Sequence, residues 1–168
     1  NWTDFSAKLK KGENAVQYHE LWDGYDELNT RLAAPILDFK KPKHYSRKQC
    51  RSMGRVSLMA TTATERALQQ ANLLDSELLT SGELGIAYGS STGSTAPFVD
   101  FADLLSDKSM TGITSTSYIK MMAHTTAVNV GVFFGIKGRV YTTSSACTAG
   151  SQALGYAYEA IKYGKQTA

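Results

Sequence analysis

The sequence has little of what marks a specialised chain, and each shortage excludes something. Its only two cysteines, Cys50 and Cys147, lie far apart and outside any CxxC spacing, which excludes a disulfide framework and a thiolate zinc site. Free thiols of this kind suit a reducing cytosol. Three prolines in 168 residues, with 20% charged residues, exclude a disordered or fibrous composition. No apolar run approaches the ~20 residues that span a bilayer, and the opening NWTDFSAKLKKGENAV is too polar for a secretory signal. Basic and acidic side chains number 18 and 15, a bias too weak to indicate nucleic acid. His19, His44 and His124 are scattered, with no cysteine or carboxylate at metal-ligand spacing, so no metal is expected. The glycines at 89, 93 and 112 lack the GK[ST] ending of a phosphate loop, and no cofactor is expected. Asn1-Trp2-Thr3 matches a glycosylation sequon, a pattern that arises readily by chance.

What is present suits a globular domain. A chain of 168 residues with 42% hydrophobic content is long enough to bury roughly two thirds of its unfolded surface. Trp2, Phe5 and Leu9 share one helical face before Gly12, predicting a short amphipathic helix over residues 1–13. Residues 14–48 show little periodicity and read mostly as loop. The basic cluster from Lys40 to Arg51 reads as a solvated surface segment, the alternative being a docking patch for an acidic carrier protein. From Gln49 to Leu74 the positions Met53, Val56, Met59, Ala60, Ala63, Ala67, Ala71 and Leu74 predict one helix with one buried stripe. GELGIAYGSS (82–91) predicts a buried strand entering a Gly/Ser/Thr turn, with a helix over about 96–105. Residues 118–134 predict one buried helix ending at Gly135, with a strand as the alternative that the valines and threonines leave open. RVYTTSSAC then reads as a strand running into a sharp turn, and the pattern from Cys147 to Gly164 is helical. Strands and helices in alternation argue for an α/β layered fold.

Cysteine chemistry needs the thiolate, and a strand-to-helix turn favours it through unpaired N–H groups and the positive end of the helix dipole. Cys147 sits at such a turn, among the small neighbours Ser144, Ser145, Ala146, Thr148, Ala149, Gly150 and Ser151. These leave room for a bulky acyl group and supply backbone amides for an oxyanion. On position and spacing alone the alternative remains open that Cys147 is an inert buried thiol. A second candidate is Gly89-Ser90-Ser91-Thr92-Gly93, which matches G-x-S-x-G after a strand, with Asp107 and His124 following in the order of a serine hydrolase. The spacing is tight for a fold that places triad members after separate strands, and His124 reads more simply as a core histidine. Ser117-Tyr118-Ile119-Lys120 matches S-x-x-K without the S-D-N or K-T-G of a penicillin-binding site.

TTSSACTAGSQALGYAYEAIKYG resembles the active-site segment of the β-ketoacyl-[acyl carrier protein] synthases, the condensing enzymes of fatty-acid and polyketide assembly. In that family a T/S-A-C-(A/T/S)-x-(G/S) core precedes a helix. Residues 1–13 resemble the family's first helix, SRKQCRSMGRVSLMATTATERALQQANL its second long helix, and GIAYGSSTGS the strand and loop lining the acyl pocket. The resemblance implies a thiolase-like α/β/α/β/α fold, here incomplete. The chain would be the N-terminal portion of a ketosynthase domain, lacking the first strand and ending just after the nucleophile helix. It also implies that Cys147 is acylated from a carrier protein, with its own N–H as an oxyanion-hole donor, and that Thr92 gates the acyl pocket. Malonyl-carrier protein would then be decarboxylated and condensed with the acyl group. Implied partners are acyl carrier protein and a second synthase subunit, identical or related, with RVYTTSSA at the interface. His124 stands where many members have asparagine, and Gly135-Ile136-Lys137-Gly138-Arg139 where they have G-x-x-G-P, as in a divergent subgroup of polyketide or polyene type. The HGT-like and GHxxGAAG-like motifs of the catalytic histidines have no counterpart, so this segment alone is expected to be inactive. A chain-length-factor-like subunit, which shapes a partner's pocket without condensing, is the non-enzymatic alternative; such subunits usually lack the cysteine.

Overall fold

In a computed structural model the described residues are 2–168, so Asn1, with its sequon and the expected helix start, lies outside them. The chain divides into two units, residues 1–40 and 41–168. In the first, α1 (Trp2–Lys10) is the short amphipathic helix expected. The predicted loop after it contains a short antiparallel pair, β1 (Gln17–Tyr18) and β2 (Leu32–Ala33), around a 3-10 turn at Glu20–Trp22. Arg31 ties this hairpin together, donating to the Trp22 and Tyr25 carbonyls at 3.2 and 2.9 Å and pairing with Asp23 at 3.4 Å.

The second unit is a layered α/β arrangement. After α2 (Arg55–Gln70) and the short α3 (Leu78–Ser81) comes β3 (Ile86–Gly89). The helices α4 (Pro97–Asp107), α5 (Ser117–Met121) and α6 (Thr125–Phe134) lead to β4 (Val140–Thr143), and α7 (Ala149–Lys162) closes the unit. β3 and β4 pair in parallel, Ile86 against Val140 through Gly89 against Thr143. Alternate residues of a strand face opposite sides. Ile86 reaches Gly131 of α6, while a Cβ on Gly89 would point into the first turn of α7. The sheet is therefore sandwiched between α6 and α7, and α2 packs on α6 as a further layer.

Three expectations need correction. The helix predicted over Gln49–Leu74 begins only at Arg55, where Gly54 is the N-cap. Gly54 has no side chain to cap with, and the Val56 N–H donates instead to Ser94 Oγ at 3.0 Å, a cap delivered from another part of the chain. The buried stripe of α2 is also not the predicted one: Ala63, Ala67 and Ala71 are exposed, and the buried positions are Ser57, Thr61 and Leu68. Finally, the single helix predicted over residues 118–134 is two, broken at Met122–His124. The Gly93 and Ser94 N–H groups donate to the carbonyls of Met121 and Lys120 at 2.9 and 2.8 Å, and Thr125 Oγ1 donates to those of Ile119 and Met122. Carbonyls engaged this way are not available to continue α5.

The polar stripe on α2 meets a matching one on α6. Ser52 Oγ donates to Asn129 Oδ1 at 2.6 Å, while Asn129 Nδ2 donates to the Ser52 carbonyl and to Ser57 Oγ, both at 3.3 Å. Ser57 Oγ lies 3.3 Å from Thr126 Oγ1, and Thr61 returns its hydroxyl to the Ser57 carbonyl at 2.8 Å. Among the described residues no buried side-chain nitrogen or oxygen lacks a partner. The apolar core is small and lies beside this seam: Leu68, Leu79 and Leu84, with Leu73, Leu78, Phe134 and Ile136 around them. Large apolar residues of α7, Leu154, Tyr158 and Ile161, are exposed, so the burial expected from length alone is not reached.

At the edge of the seam the buried Tyr45 ring packs on Phe133 at 4.5 Å and its hydroxyl donates to Glu65 Oε2 at 3.1 Å. Burial first, and the Glu65 carboxylate second, push the phenol from its ordinary 10.0 up to about 12, against the opposing hydrogen bond from Thr62. A proton held more tightly in the fold than in the unfolded chain stabilises the fold below the unfolded value and is lost as pH rises between them. The urea midpoint is therefore expected to fall as pH rises from about 10 to about 12, and Tyr45→Phe to remove the Tyr45 share of that fall.

Candidate active site

The ends of β3 and β4 lie side by side because the parallel ladder continues one residue further, Ser90 N–H donating to the Thr143 carbonyl at 2.9 Å. Two loops therefore leave the sheet as neighbours, Ser90–Ser94 from β3 and Ser144–Thr148 from β4. Gly89 allows this. A Cβ there would stand 2.5 Å from the backbone of Ala149 and Gly150, so only glycine lets the strand pass this close to α7. From β4, Thr143 Oγ1 donates to the Ala149 carbonyl at 2.6 Å and binds the helix start to the sheet.

Cys147 is exposed. It is not the first residue of α7, as the periodicity suggested, but the middle of a 3-10 turn, Ala146–Thr148, that precedes the helix. The turn is possible because Ala146 takes a left-handed backbone, φ 50°, a conformation that is costly for a residue with a Cβ. Several hydroxyls hold it. Thr148 Oγ1 donates to the Ser145 carbonyl and shares a hydrogen bond with Ser145 Oγ, each at 3.0 Å, and Ser145 Oγ donates to Gln152 Oε1 at 2.8 Å. The Ala146 N–H donates to Ser91 Oγ at 2.8 Å. Among the described residues the Cys147 N–H makes no hydrogen bond beyond its own turn. It remains free to meet an oxyanion, at the positive end of a helix fourteen residues long.

The other predicted residues fall as follows. Thr92 is exposed in the β3 loop, next to Ser91, and its carbonyl accepts from Ser90 Oγ at 2.8 Å. The serine-hydrolase triad is not assembled among the described residues. Ser91 serves the Ala146 N–H, Asp107 is the exposed last residue of α4, and no hydrogen bond links either of them to His124. His124 is not a core histidine: it is the exposed N-cap of α6, without a side-chain capping bond. His44 does meet a carboxylate, Glu65 at 2.8 Å, a long-range contact with no short-spacing signature. No three His, Cys, Asp or Glu side chains among the described residues gather as a metal site. Lys41, Lys43, Arg47, Lys48 and Arg51 are exposed, as a solvated basic segment would be. The anchoring roles of Ser91 and Thr143 had no sequence signal of their own. Gly89 had one, as the last glycine-compatible position of a strand predicted to enter a turn.

The two cysteines differ in setting. Burial pushes the Cys50 thiol above its ordinary value, with Lys41 working weakly against this, whereas Cys147 is open to solvent. Iodoacetamide near neutral pH is expected to label Cys147 first, Cys50 following only as pH rises beyond the ordinary thiol range; mass mapping of the labelled peptides reads the order. Gly89→Ala is expected to lower stability by about 1–3 kcal/mol, the usual cost of overpacking, and to slow labelling of Cys147, because α7 must back away from the sheet.

A family model described as "Beta-ketoacyl synthase, N-terminal domain" matches residues 1–168. The 3-oxoacyl-[acyl-carrier-protein] synthase 2 of Synechocystis sp. is 27% identical over 161 residues, 96% of this chain and 38% of its own length. Nodulation protein E of Rhizobium leguminosarum bv. trifolii is 31% identical over 167 residues, 94% of this chain and 39% of its own length. Among solved structures, a β-ketoacyl synthase from Burkholderia phymatum STM815 superposes with a TM-score of 0.92 at 51% identity, covering 99% of this chain and 41% of that one. A type II PKS ketosynthase, bound to the hexaketide and in complex with its acyl-carrier protein, gives 0.69 at 25% identity, with 78% and 38% covered. The chain spans about two fifths of the length of the relatives it matches.

Proposed function

The chain belongs to the β-ketoacyl synthase family, and from that premise we propose that Cys147 is the acyl-accepting nucleophile of a decarboxylative Claisen condensation. The observation that carries this reading is the exposed Cys147 at the tip of a strand-to-helix turn, its N–H unengaged beyond that turn and α7 behind it. Sγ attacks the carbonyl carbon of an acyl thioester, the oxyanion rests on the Cys147 N–H, and the carrier thiol leaves with the proton that the cysteine gives up. A malonyl thioester then loses carbon dioxide. The carbanion that remains attacks the acyl carbon, and the Cys147 thiolate departs, giving a 3-oxoacyl thioester.

The donor is an acyl carrier protein carrying acyl and malonyl groups, in fatty-acid, polyketide or polyene synthesis. Thr92, on the loop that abuts the nucleophile turn, lines the path of the acyl chain. Groups that promote decarboxylation have no counterpart in these 168 residues, so the chain supplies the acyl-accepting half of the reaction. Assembly is a homodimer or a pair with a related subunit. Its contact includes the RVYTTSSA segment, where the paired strands β3 and β4 form a two-stranded sheet with an open edge at β4. Retention of Cys147 speaks against a non-condensing chain-length-factor-like role. Two free cysteines fit a reducing cytoplasm best.

Intact-mass spectrometry of the intact protein after incubation with acyl-carrier protein tests this directly. A mass gain equal to the acyl group is expected, absent in Cys147→Ala; a gain that survives the substitution would sink the assignment.

A further inference from the structure

We propose that Ser91 is a positioning residue for acyl transfer: its hydroxyl oxygen pins the Ala146 N–H and so sets the direction of the neighbouring Cys147 N–H that receives the oxyanion. The inference rests on Cys147 being the acyl acceptor. What points to Ser91 is the distribution of contacts around the nucleophile turn. Within the turn, Thr148 bonds to Ser145 and Ser145 to Gln152, all on the α7 side. Among the described residues the single bond across to the β3 loop is the one from Ala146 N–H to Ser91 Oγ, 2.8 Å and 55 residues apart in sequence.

That bond falls on the residue with the left-handed backbone, φ 50°. The peptide units either side of Ala146 are the ones that this conformation redirects, and one of them carries the Cys147 N–H. Ser91 is itself on a fixed base: Ser90 N–H is bonded to the Thr143 carbonyl, and Gly93 N–H to the Met121 carbonyl. The hydroxyl therefore reaches the turn from a rigid loop. An oxyanion donor must be held to within a fraction of an ångström of its working place, since misplacement by about 1 Å costs on the order of a hundredfold in rate. The same contact gives the serine of the G-x-S-x-G pattern a task other than nucleophilic attack.

Two reactions of Cys147 separate this role from general support of the fold. Acyl transfer from a thioester passes through an oxyanion; alkylation by iodoacetamide, a displacement of iodide at carbon, does not. In the intact protein Ser91→Ala is expected to lower the rate of acyl transfer from acyl-carrier protein by about ten- to a hundredfold, mainly in kcat, with alkylation of Cys147 changed less than about twofold. Ser91→Thr, which keeps the hydroxyl, is expected to restore most of the loss. Unchanged acyl transfer in Ser91→Ala, equal losses in both reactions, or labelling of Ser91 by a fluorophosphonate would each overturn the proposal. Cys147→Ala, run alongside, tells the two readings apart. If it still gains the acyl group, the nucleophile assignment fails and the Ser91 role with it; if it does not, a normal Ser91→Ala removes the Ser91 role alone.

Discussion

The turn that carries Cys147 depends on how closely the β3–β4 sheet approaches the first turn of α7. Parallel pairing brings the two strand ends level, so the loops that leave them must emerge as neighbours. The missing side chain of Gly89 lets the sheet touch the helix backbone, and the Thr143 hydroxyl fastens that contact from the adjacent strand. Once these are in place, the few residues between Thr143 and Ala149 have little choice. They must reverse direction within a short span, which accounts for both the 3-10 turn and the left-handed backbone at Ala146. The exposure of Cys147 is thus a consequence of packing at Thr143, four residues before it, and at Ala149, two residues after it.

The layer farther from the sheet is held by different physics. Between α2 and α6 the contact surface carries, beside apolar residues such as Leu68 and Phe134, a seam of hydroxyls and one amide. Small polar residues let the helices come close, and each hydrogen bond within the seam spares a buried group the roughly 1–3 kcal/mol it loses when left without a partner. Such a seam is directional. Leucines tolerate sliding, whereas Asn129 meets Ser52 and Ser57 in one register only, and α6 in turn fixes the sheet it packs against.

This division explains what was legible in the sequence. The layered α/β character and the placing of Cys147 between strand and helix followed from periodicity and from glycine positions, because those features are local; the thiolase-like kind of layering was implied by the resemblance of the Cys147 segment to the β-ketoacyl synthases. What was misread is tertiary. The alanine positions of residues 49–74 looked like the buried stripe since they repeat at helical spacing, yet Ser57 and Thr61 are the buried ones: Asn129 and Thr126, some seventy residues on, supply the partners of Ser57, and Thr61 donates to the Ser57 carbonyl. The continuous helix over 118–134 fails for a similar reason: its carbonyls are taken by Gly93 and Ser94 of the β3 loop. Cys147 was found by its neighbours in the chain. Ser91 was noticed for a motif, and its partner at Ala146 is visible only in three dimensions.

The loop from Gly89 to Ser94 can be viewed as a frame with one open slot. Gly89 is closed to any side chain by α7, and a Cβ on Gly93 would strike the Lys120 carbonyl at 2.5 Å. Ser90, Ser91 and Ser94 each spend their hydroxyl on a structural bond, to the Thr92 carbonyl, the Ala146 N–H and the start of α2. Thr92 alone among them is exposed with no side-chain hydrogen bond within the described residues. On this backbone Thr92 is thus the position of the loop where a change of side chain disturbs least, while its neighbours on either side keep the Cys147 turn in register.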